Sequence, residues 1–331
     1  MTIRGALAAV LFAVAVPAAA APGLPVLRDR LDTLQALDTR VQSVGWRLAR
    51  ANAPYCRRVA PAIGLQLFDA AGFADPTAVR AALELPGDIA VEAVAADSPA
   101  ARAGLRPHLA LRTVAGQPVA ALPAVPAGDY ARLVGLHDRV DSALLATGSV
   151  ALTDAAGGEI VVTGEPVCVS KFEMTASGGK AAADGRRVVI GRKLVEALPP
   201  DPLRGDELLA AALAHELAHN LLGHRARLDQ SGRSWGKIKA IEHEADRLAP
   251  WLLANAGYDP HAAVRFFERW GPKFDLGLFA TPDHDGWKKR ARVVSAEIQK
   301  VEVARGADGK ADWRLAFETA ETQAVNGPAK Q

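Results

Sequence analysis

The residues of this chain best suited to metal chemistry form the run His215-Glu216-Leu217-Ala218-His219. On a helix, residues four apart lie one above the other, so both imidazoles point the same way and can bind one zinc ion. Glu216 can then reach a zinc-bound water as general base. Coincidence is the alternative, but a chain of 331 residues with eight histidines would contain His-Glu-x-x-His by chance in only ~1% of cases. The pattern therefore predicts a zinc site.

The segment around the two histidines has the pattern of a buried helix. Leucine and alanine recur at helical spacing from Leu208 to Leu222, which predicts a largely buried helix. Asp206 stands where it can cap this helix or place negative charge at its start. Pro199, Pro200 and Pro202 prevent an earlier helix from continuing into it.

A catalytic zinc ion takes three protein ligands, so a third ligand must come from elsewhere in the chain. The run Glu242-His243-Glu244-Ala245-Asp246 follows at the expected start of another helix. Glu242 and Asp246 share one helix face, so Glu242 can complete the site while Asp246 hydrogen-bonds a ligating imidazole. Spacing alone leaves His243 and Glu244 as competing ligands. A solvated charged face is the alternative without a metal.

The N-terminus has the three parts of a secretory signal. Arg4 supplies a positive charge, an apolar segment runs from Ala6 to Val16, and small residues follow up to a cleavage site near Ala20 or Ala21. This order predicts a signal peptide over residues 1–21, with a retained membrane anchor as the alternative. We therefore expect an exported protein, periplasmic or secreted.

Composition argues against two classes of partner. The formal net charge is +2 and no long basic run occurs, so we expect no nucleic-acid partner. No further stretch has the length and apolarity of a membrane span, so we expect no stable span in the mature chain. The two cysteines, Cys56 and Cys168, could be unrelated buried thiols. In an exported protein they more often form a disulfide bond.

The first half of the chain has strand and turn patterns after one long helix. Apolar residues at helical spacing predict a helix from Val26 to Ala51, within an N-terminal segment of residues 22–56. From Ala62 to Val167, the order of strand, Asp-Ser-Pro-Ala-x-x-Ala-Gly-Leu and strand resembles a PDZ domain of exported bacterial proteases. In that resemblance, Ile63-Gly64-Leu65 matches the loop that holds a peptide carboxylate. A purely structural module is an equal alternative, and Arg106-Pro107-His108-Leu109 departs from the family pattern.

The second half carries a more specific resemblance. His-Glu-x-x-His followed by Glu-x-Glu-Ala-Asp, then Ala256-Gly257-Tyr258-Asp259-Pro260 and Asp283-His284-Asp285, resembles the gluzincin family of the CAAX prenyl endopeptidase, in its periplasmic bacterial branch. The similarity covers roughly residues 178–299. It implies His215, His219 and Glu242 as zinc ligands and Glu216 as base. It implies Asp246 as the acid that closes the motif.

These patterns together predict an α+β fold with a mainly helical zincin-type domain, a small β-sheet and a preceding β-rich module. The expected divisions are a PDZ-like domain at 57–167, a zinc metallopeptidase domain at 168–300 and a partly flexible extension at 301–331. The predicted activity is hydrolysis of polypeptide substrates, among them misfolded envelope proteins, by one Zn²⁺ ion with Glu216 as base. The alternative is an envelope chaperone or assembly factor whose hydrolysis is weak or latched.

Three further features are candidates for work near the zinc ion. Asp184-Gly185 predicts a hairpin turn, and the strand before it, Lys180–Ala183, is a candidate edge for an extended substrate. An ordinary hairpin is the alternative. His224 is expected to cap the helix or to support a ligand from the second coordination sphere. His284 lies in a loop of the kind that closes over active sites, where it can stabilise an oxyanion or occupy the open zinc position, or serve neither purpose.

Overall fold

The computed structural model describes residues 23–274 and 286–317. Helices in these ranges are α1 (Leu24–Asn52), α2 (Pro76–Leu83), α3 (Pro99–Arg102), α4 (Ala131–Thr147), α5 (Arg192–Ala197), α6 (Glu207–Leu221), α7 (His224–Ser231), α8 (Trp235–Asn255), α9 (Ala262–Phe274), α10 (Trp287–Ala304) and α11 (Arg314–Phe317). Strands are β1 (Val59–Ala62), β2 (Leu65–Asp69), β3 (Ile89–Val94), β4 (Leu111–Val114), β5 (Gln117–Pro118), β6 (Ser149–Asp154), β7 (Glu159–Thr163), β8 (Glu165–Cys168), β9 (Lys171–Thr175), β10 (Ala181–Ala183) and β11 (Arg187–Gly191).

The strands form small sheets rather than one large sheet. Antiparallel pairs join β1 to β8 and β2 to β3, and a four-stranded antiparallel sheet has the order β5-β4-β6-β7. A three-stranded sheet has the order β10-β11-β9, in which β11 pairs antiparallel with β10 and parallel with β9. Helices dominate the rest of the described chain, so the predicted α+β class is confirmed.

Most of the predicted elements in the first half are present. The predicted long N-terminal helix is confirmed. The short helix α3 lies in the Asp-Ser-Pro-Ala segment, and β6 and β7 form a hairpin. Ser98 caps α3, because its hydroxyl accepts a hydrogen bond of 3.2 Å from the Ala101 amide. Helix α2, which begins at Pro76 and is capped by Asp75, was not among the predicted elements. The PDZ resemblance of this region stays a prediction.

The described chain has two main apolar cores, and the disulfide belongs to one of them. One is formed by β2, β3, β4, β6, β7 and α4. The other collects the C-terminal half of α1 with α6, α8, α10 and the strands β9 and β11. The N-terminal half of α1 packs elsewhere, since Leu31 belongs to a smaller cluster with α2. One helix therefore contacts both halves of the chain.

The predicted disulfide between Cys56 and Cys168 is confirmed. It joins positions 112 residues apart and lies beside the β1–β8 pair, in which Val59 is the partner of Cys168. The bond therefore closes the first module at its two ends, as expected.

Several sequence expectations concern residues outside the described ranges. These are the signal peptide at residues 1–21, His284, and the extension beyond Phe317. Among the described helices, none combines the length and the apolarity needed to cross a bilayer.

Candidate metal centre

Helix α6 presents the two histidines of the first motif. A row of leucines spaced four apart, Leu209, Leu213 and Leu217, is fully buried on the core side of this helix. His215 and His219 project from the other side with their rings edge to face, 4.9 Å between centroids. The predicted helix from Leu208 to Leu222 is confirmed within one residue at each end. Its packing holds both imidazoles in one orientation.

Asp206, which was expected to cap α6, contacts Arg40 instead. Asp206 precedes the helix but makes no side-chain hydrogen bond to its first amides. Its carboxylate instead accepts hydrogen bonds from the Arg40 guanidinium, the shorter of 2.6 Å. The capping prediction is therefore wrong, because an ion pair with α1 takes the carboxylate.

Helix α8 packs against α6 and supplies a carboxylate to the same point. Glu242 places Oε2 3.4 Å from Nε2 of His215 and Oε1 3.4 Å from Nε2 of His219. The two Nε2 atoms lie 3.2 Å apart. Glu242 lies in the third turn of α8 and not at its start, since the helix begins at Trp235. Because α8 begins earlier than predicted, Glu242 lies inside the helix, opposite His215 and His219.

The spacing of the three side chains matches the requirements of a bound zinc ion. Ligand atoms at tetrahedral angles around zinc lie about 3.3 Å from one another. The two Nε2 atoms lie 3.2 Å apart, and each lies 3.4 Å from a different oxygen of the Glu242 carboxylate. His215, His219 and Glu242 form a group that could hold a metal ion in the described part of the chain.

Asp246 stands behind the first histidine, as its position one turn after Glu242 predicts. Its carboxylate is almost fully buried, and Oδ1 lies 3.1 Å from Nδ1 of His215, although the two atoms are not aligned as a hydrogen bond. Arg290 of α10 donates two hydrogen bonds of 2.7 Å to Asp246 and a longer one of 3.4 Å to Glu242. The face of the Arg290 guanidinium lies 4.6 Å from the ring of Phe267. This cation anchors both carboxylates.

The charges of the site favour a cation. Burial lowers the pKa of His215, but Asp246 and Glu242 outweigh burial and raise it to about 10. Burial raises the pKa of Glu216, which the charge on His215 partly offsets. A carboxylate with a raised pKa beside a metal site is suited to proton transfer near neutral pH.

His224 and Glu244 lie behind the second histidine. His224 is buried at the start of α7, and its Nδ1 lies 2.9 Å from Nδ1 of His219. Its Nε2 lies 3.1 Å from Oε2 of Glu244, which pairs in turn with Arg227 at 2.5 Å. Glu244 therefore faces away from the three converging atoms, so its contacts remove it as a competing ligand. His243 is likewise absent from the group of possible ligands in the described chain.

A small sheet lies beside the metal group. The predicted hairpin is confirmed, and β10 is the edge strand of the sheet β10-β11-β9, in contact with α6. Asn220 of α6 accepts a hydrogen bond of 2.7 Å from the Gly185 amide at the hairpin turn. The hairpin is therefore tied to the helix that carries the histidines. The proposed role of Lys180–Ala183 in substrate binding stays a prediction.

Two contacts of the site were not predicted. The Arg290 guanidinium reaches Asp246 across 44 residues of sequence. Glu244 contacts His224. A buried carboxylate next to a metal ligand requires a cation nearby, and that requirement was the available signal for Arg290.

Two imidazoles and a carboxylate on packed helices, with a glutamate directly after the first imidazole, form a site of the metallopeptidase kind. No protein-family model matches the chain. It is similar to the mitochondrial metalloendopeptidase OMA1 of Schizosaccharomyces pombe, at 28% identity over 31% of this chain and 40% of that protein. The chain thus matches less than half the length of that relative. This distant similarity supports the metallopeptidase kind.

Proposed function

We propose that this protein is a zinc-dependent endopeptidase that hydrolyses peptide bonds in exported or envelope polypeptides. The observation that carries the proposal is the convergence of His215 Nε2, His219 Nε2 and both oxygens of the Glu242 carboxylate, with separations of 3.2–3.4 Å. A site of two histidines and one glutamate is a common arrangement for catalytic zinc and leaves one position open. The similarity to a metalloendopeptidase supports the same class of reaction.

Each residue of the site has a distinct part in the proposed mechanism. A zinc ion held by His215, His219 and Glu242 would polarise the scissile carbonyl and acidify a water molecule. Glu216 takes the proton from the attacking water and delivers it to the leaving amine. Asp246 holds the first imidazole through Nδ1, and Arg290 keeps Asp246 ionised in its buried position.

The location and the accessory module are part of the same proposal. The charged, apolar and small-residue order of residues 1–21 supports export. The resemblance to the CAAX prenyl endopeptidase family supports the gluzincin assignment. The edge position of β10, beside α6, supports its use as a strand along which an extended substrate lies.

Substitution of Glu216 tests the mechanism. Glu216→Gln keeps the shape of the side chain but removes its proton acceptor, so we expect zinc content to stay at the wild-type level. Turnover should fall by roughly 10²–10⁴-fold, the contribution of general acid–base catalysis. The assay is digestion of casein and a peptide library, with and without a chelator, alongside metal analysis. Glu268→Gln, an exposed glutamate of α9, is the matched control and should be unchanged.

Two outcomes would contradict the proposal. Wild-type turnover in a zinc-loaded Glu216→Gln protein would refute the role of Glu216. Retained zinc in the wild type without chelator-sensitive cleavage of any substrate would favour the zinc-containing assembly factor.

A further inference from the structure

We propose that His224 and Glu244 are positioning residues that set the tautomer of the second histidine ligand, so that its Nε2 is free to bind the metal. This inference rests on the proposed function, because it takes His219 as a ligand. We call His219, His224, Glu244 and Arg227 the His219 relay. Its members come from three helices, α6, α7 and α8.

The contacts of the relay form a continuous line. Nδ1 of His219 lies 2.9 Å from Nδ1 of His224, and Nε2 of His224 lies 3.1 Å from Oε2 of Glu244. The Arg227 guanidinium donates to both oxygens of Glu244, at 2.5 and 3.1 Å. His224 is only 1% exposed, so it does not exchange these contacts for water. The relay therefore ends in an ion pair between Glu244 and Arg227.

The chemistry of neutral imidazole leaves one consistent placement of the protons. A metal needs the lone pair of His219 Nε2, so the proton of that ring is on Nδ1. His219 Nδ1 then donates to His224 Nδ1, which must be the acceptor. The remaining proton of His224 is on Nε2, where it is donated to the Glu244 carboxylate. Each hydrogen bond of the relay thus pairs one donor with one acceptor.

A short turn brings His224 back to the ring that it contacts. Helix α6 ends at Leu221, and Gly223 adopts φ of 67°, in the left-handed region that favours glycine. Helix α7 then starts at His224, whose ring is edge to face with His219, 4.8 Å between centroids. The two candidate ligands are supported differently, because Asp246 faces His215 directly whereas Glu244 reaches His219 through an imidazole.

The test measures zinc affinity by competition with a chelator and the ¹⁵N NMR signals of the histidine rings. His224→Leu removes both hydrogen bonds and should weaken zinc binding by roughly 10–100-fold, as expected for an outer partner of a ligand. His224→Gln can still accept from His219 and donate to Glu244, so it should recover most of that loss. Glu244→Gln should weaken binding to a lesser extent, because it keeps an acceptor but loses the charge.

Matched controls separate positioning from folding. Asp229→Asn removes an exposed ion pair with Arg225 on the same helix α7 and should leave zinc affinity unchanged. Thermal unfolding and circular dichroism report whether each variant keeps its fold. In wild-type protein, the ring signals should show His219 protonated on Nδ1 and His224 on Nε2.

Three results would overturn the inference. The first is His224→Leu with wild-type zinc affinity, and the second is equal loss in the Leu and Gln variants with equally lowered unfolding temperatures. The third is a wild-type His219 protonated on Nε2. A wild-type protein that binds no zinc would instead overturn the proposed function, so the two failures are distinguishable.

Discussion

Glu242 and Asp246 are four residues apart on α8 and share one face, whereas Glu244 between them leaves the helix in a different direction. Glu242 and Asp246 both contact His215 and Arg290, and Glu244 contacts His224 and Arg227. A run of acids that could be mistaken for one charged surface is thus divided between two sets of contacts. This division is what separates the candidate ligand from its neighbours.

The choice among the neighbouring ligands leads to a direct prediction. Glu242→Ala removes one of the three candidate ligands, so zinc affinity should fall by more than the roughly 10–100-fold typical of an outer partner. His243→Ala should retain zinc, because His243 is outside the group that converges on α6. Metal analysis after dialysis against a weak chelator compares the two variants. Loss of zinc in His243→Ala with retention in Glu242→Ala would reverse the assignment.

At the scale of elements, α1 approaches β9 closely within the apolar core that also contains α6 and α8. Gly45 of α1 lies against the Phe172 ring, and a Cβ at this position would be 2.3 Å from the Cγ atom of that ring. Strand β9 was not among the predicted elements, although Phe172 and Met174 alternate there with polar residues. Glycine in the middle of a helix usually weakens it, so its presence here has a packing reason.

Two glycine substitutions compare packing with helix propensity. Gly45→Ala should destabilise the protein by about 1–3 kcal/mol, because the Phe172 ring must move in a packed core. Gly135→Ala, on an exposed position of α4 with no atom within 4 Å, should stabilise it by about 0.5–1 kcal/mol. Urea unfolding gives both free energies. A neutral or stabilising Gly45→Ala would show that α1 and β9 are not in close contact.

A second junction between elements contains two buried carboxyl groups. Burial raises the pKa of Asp38 on α1 to about 7, against a backbone hydrogen bond from Met174 that lowers it. Burial and the nearby charge of Asp38 raise the pKa of Glu92 on β3 to about 8. Both pKa values are above those of the unfolded chain, so the folded protein binds more protons between roughly pH 4 and 8. Their contribution to stability is complete below this window and is lost as the pH rises through it.

This junction predicts a pH dependence of stability. Asp38→Asn and Glu92→Gln each remove one ionisation, so the fall in the free energy of unfolding from pH 6 to pH 9 should shrink by about 1–2 kcal/mol. Glu159→Gln, at an exposed position of β7, is the control and should keep the wild-type slope. Urea titrations at several pH values measure the slopes. Identical slopes in all four proteins would show that these carboxyls do not titrate in this range.

At the scale of the whole molecule, one helix and one disulfide connect the two halves of the chain. Helix α1 contributes residues to the core that contains α6 and α8 and to the cluster that contains α2. The disulfide of Cys56 and Cys168 closes the first module, beside the pair of β1 and β8. The metal group is on α6 and α8, and neither cysteine belongs to those helices.

The covalent link should therefore affect stability more than metal binding. Replacing both cysteines by alanine should lower the free energy of unfolding by about 2–4 kcal/mol, mainly because the unfolded chain gains conformational entropy without the cross-link. Zinc content should be unchanged. Reduced wild-type protein is the matched control, since it keeps both sulfur atoms in the core. An unchanged guanidinium midpoint in both would show that the link has no effect on stability.

The chemistry of the site and most elements near it could be predicted from the sequence because they depend on local spacing. Residues four apart on a helix share a face wherever the helix lies, so the histidine pair and the pair of Glu242 and Asp246 were readable in advance. The partners of those residues were not, because Arg290 and the Phe267 ring beside it reach the site only through packing of distant segments. The same holds for Glu244, whose neighbour is chosen by the turn at Gly223. Local periodicity thus determined which residues could bind a metal. Only the tertiary structure decided that Arg290, Phe267 and His224 lie beside them.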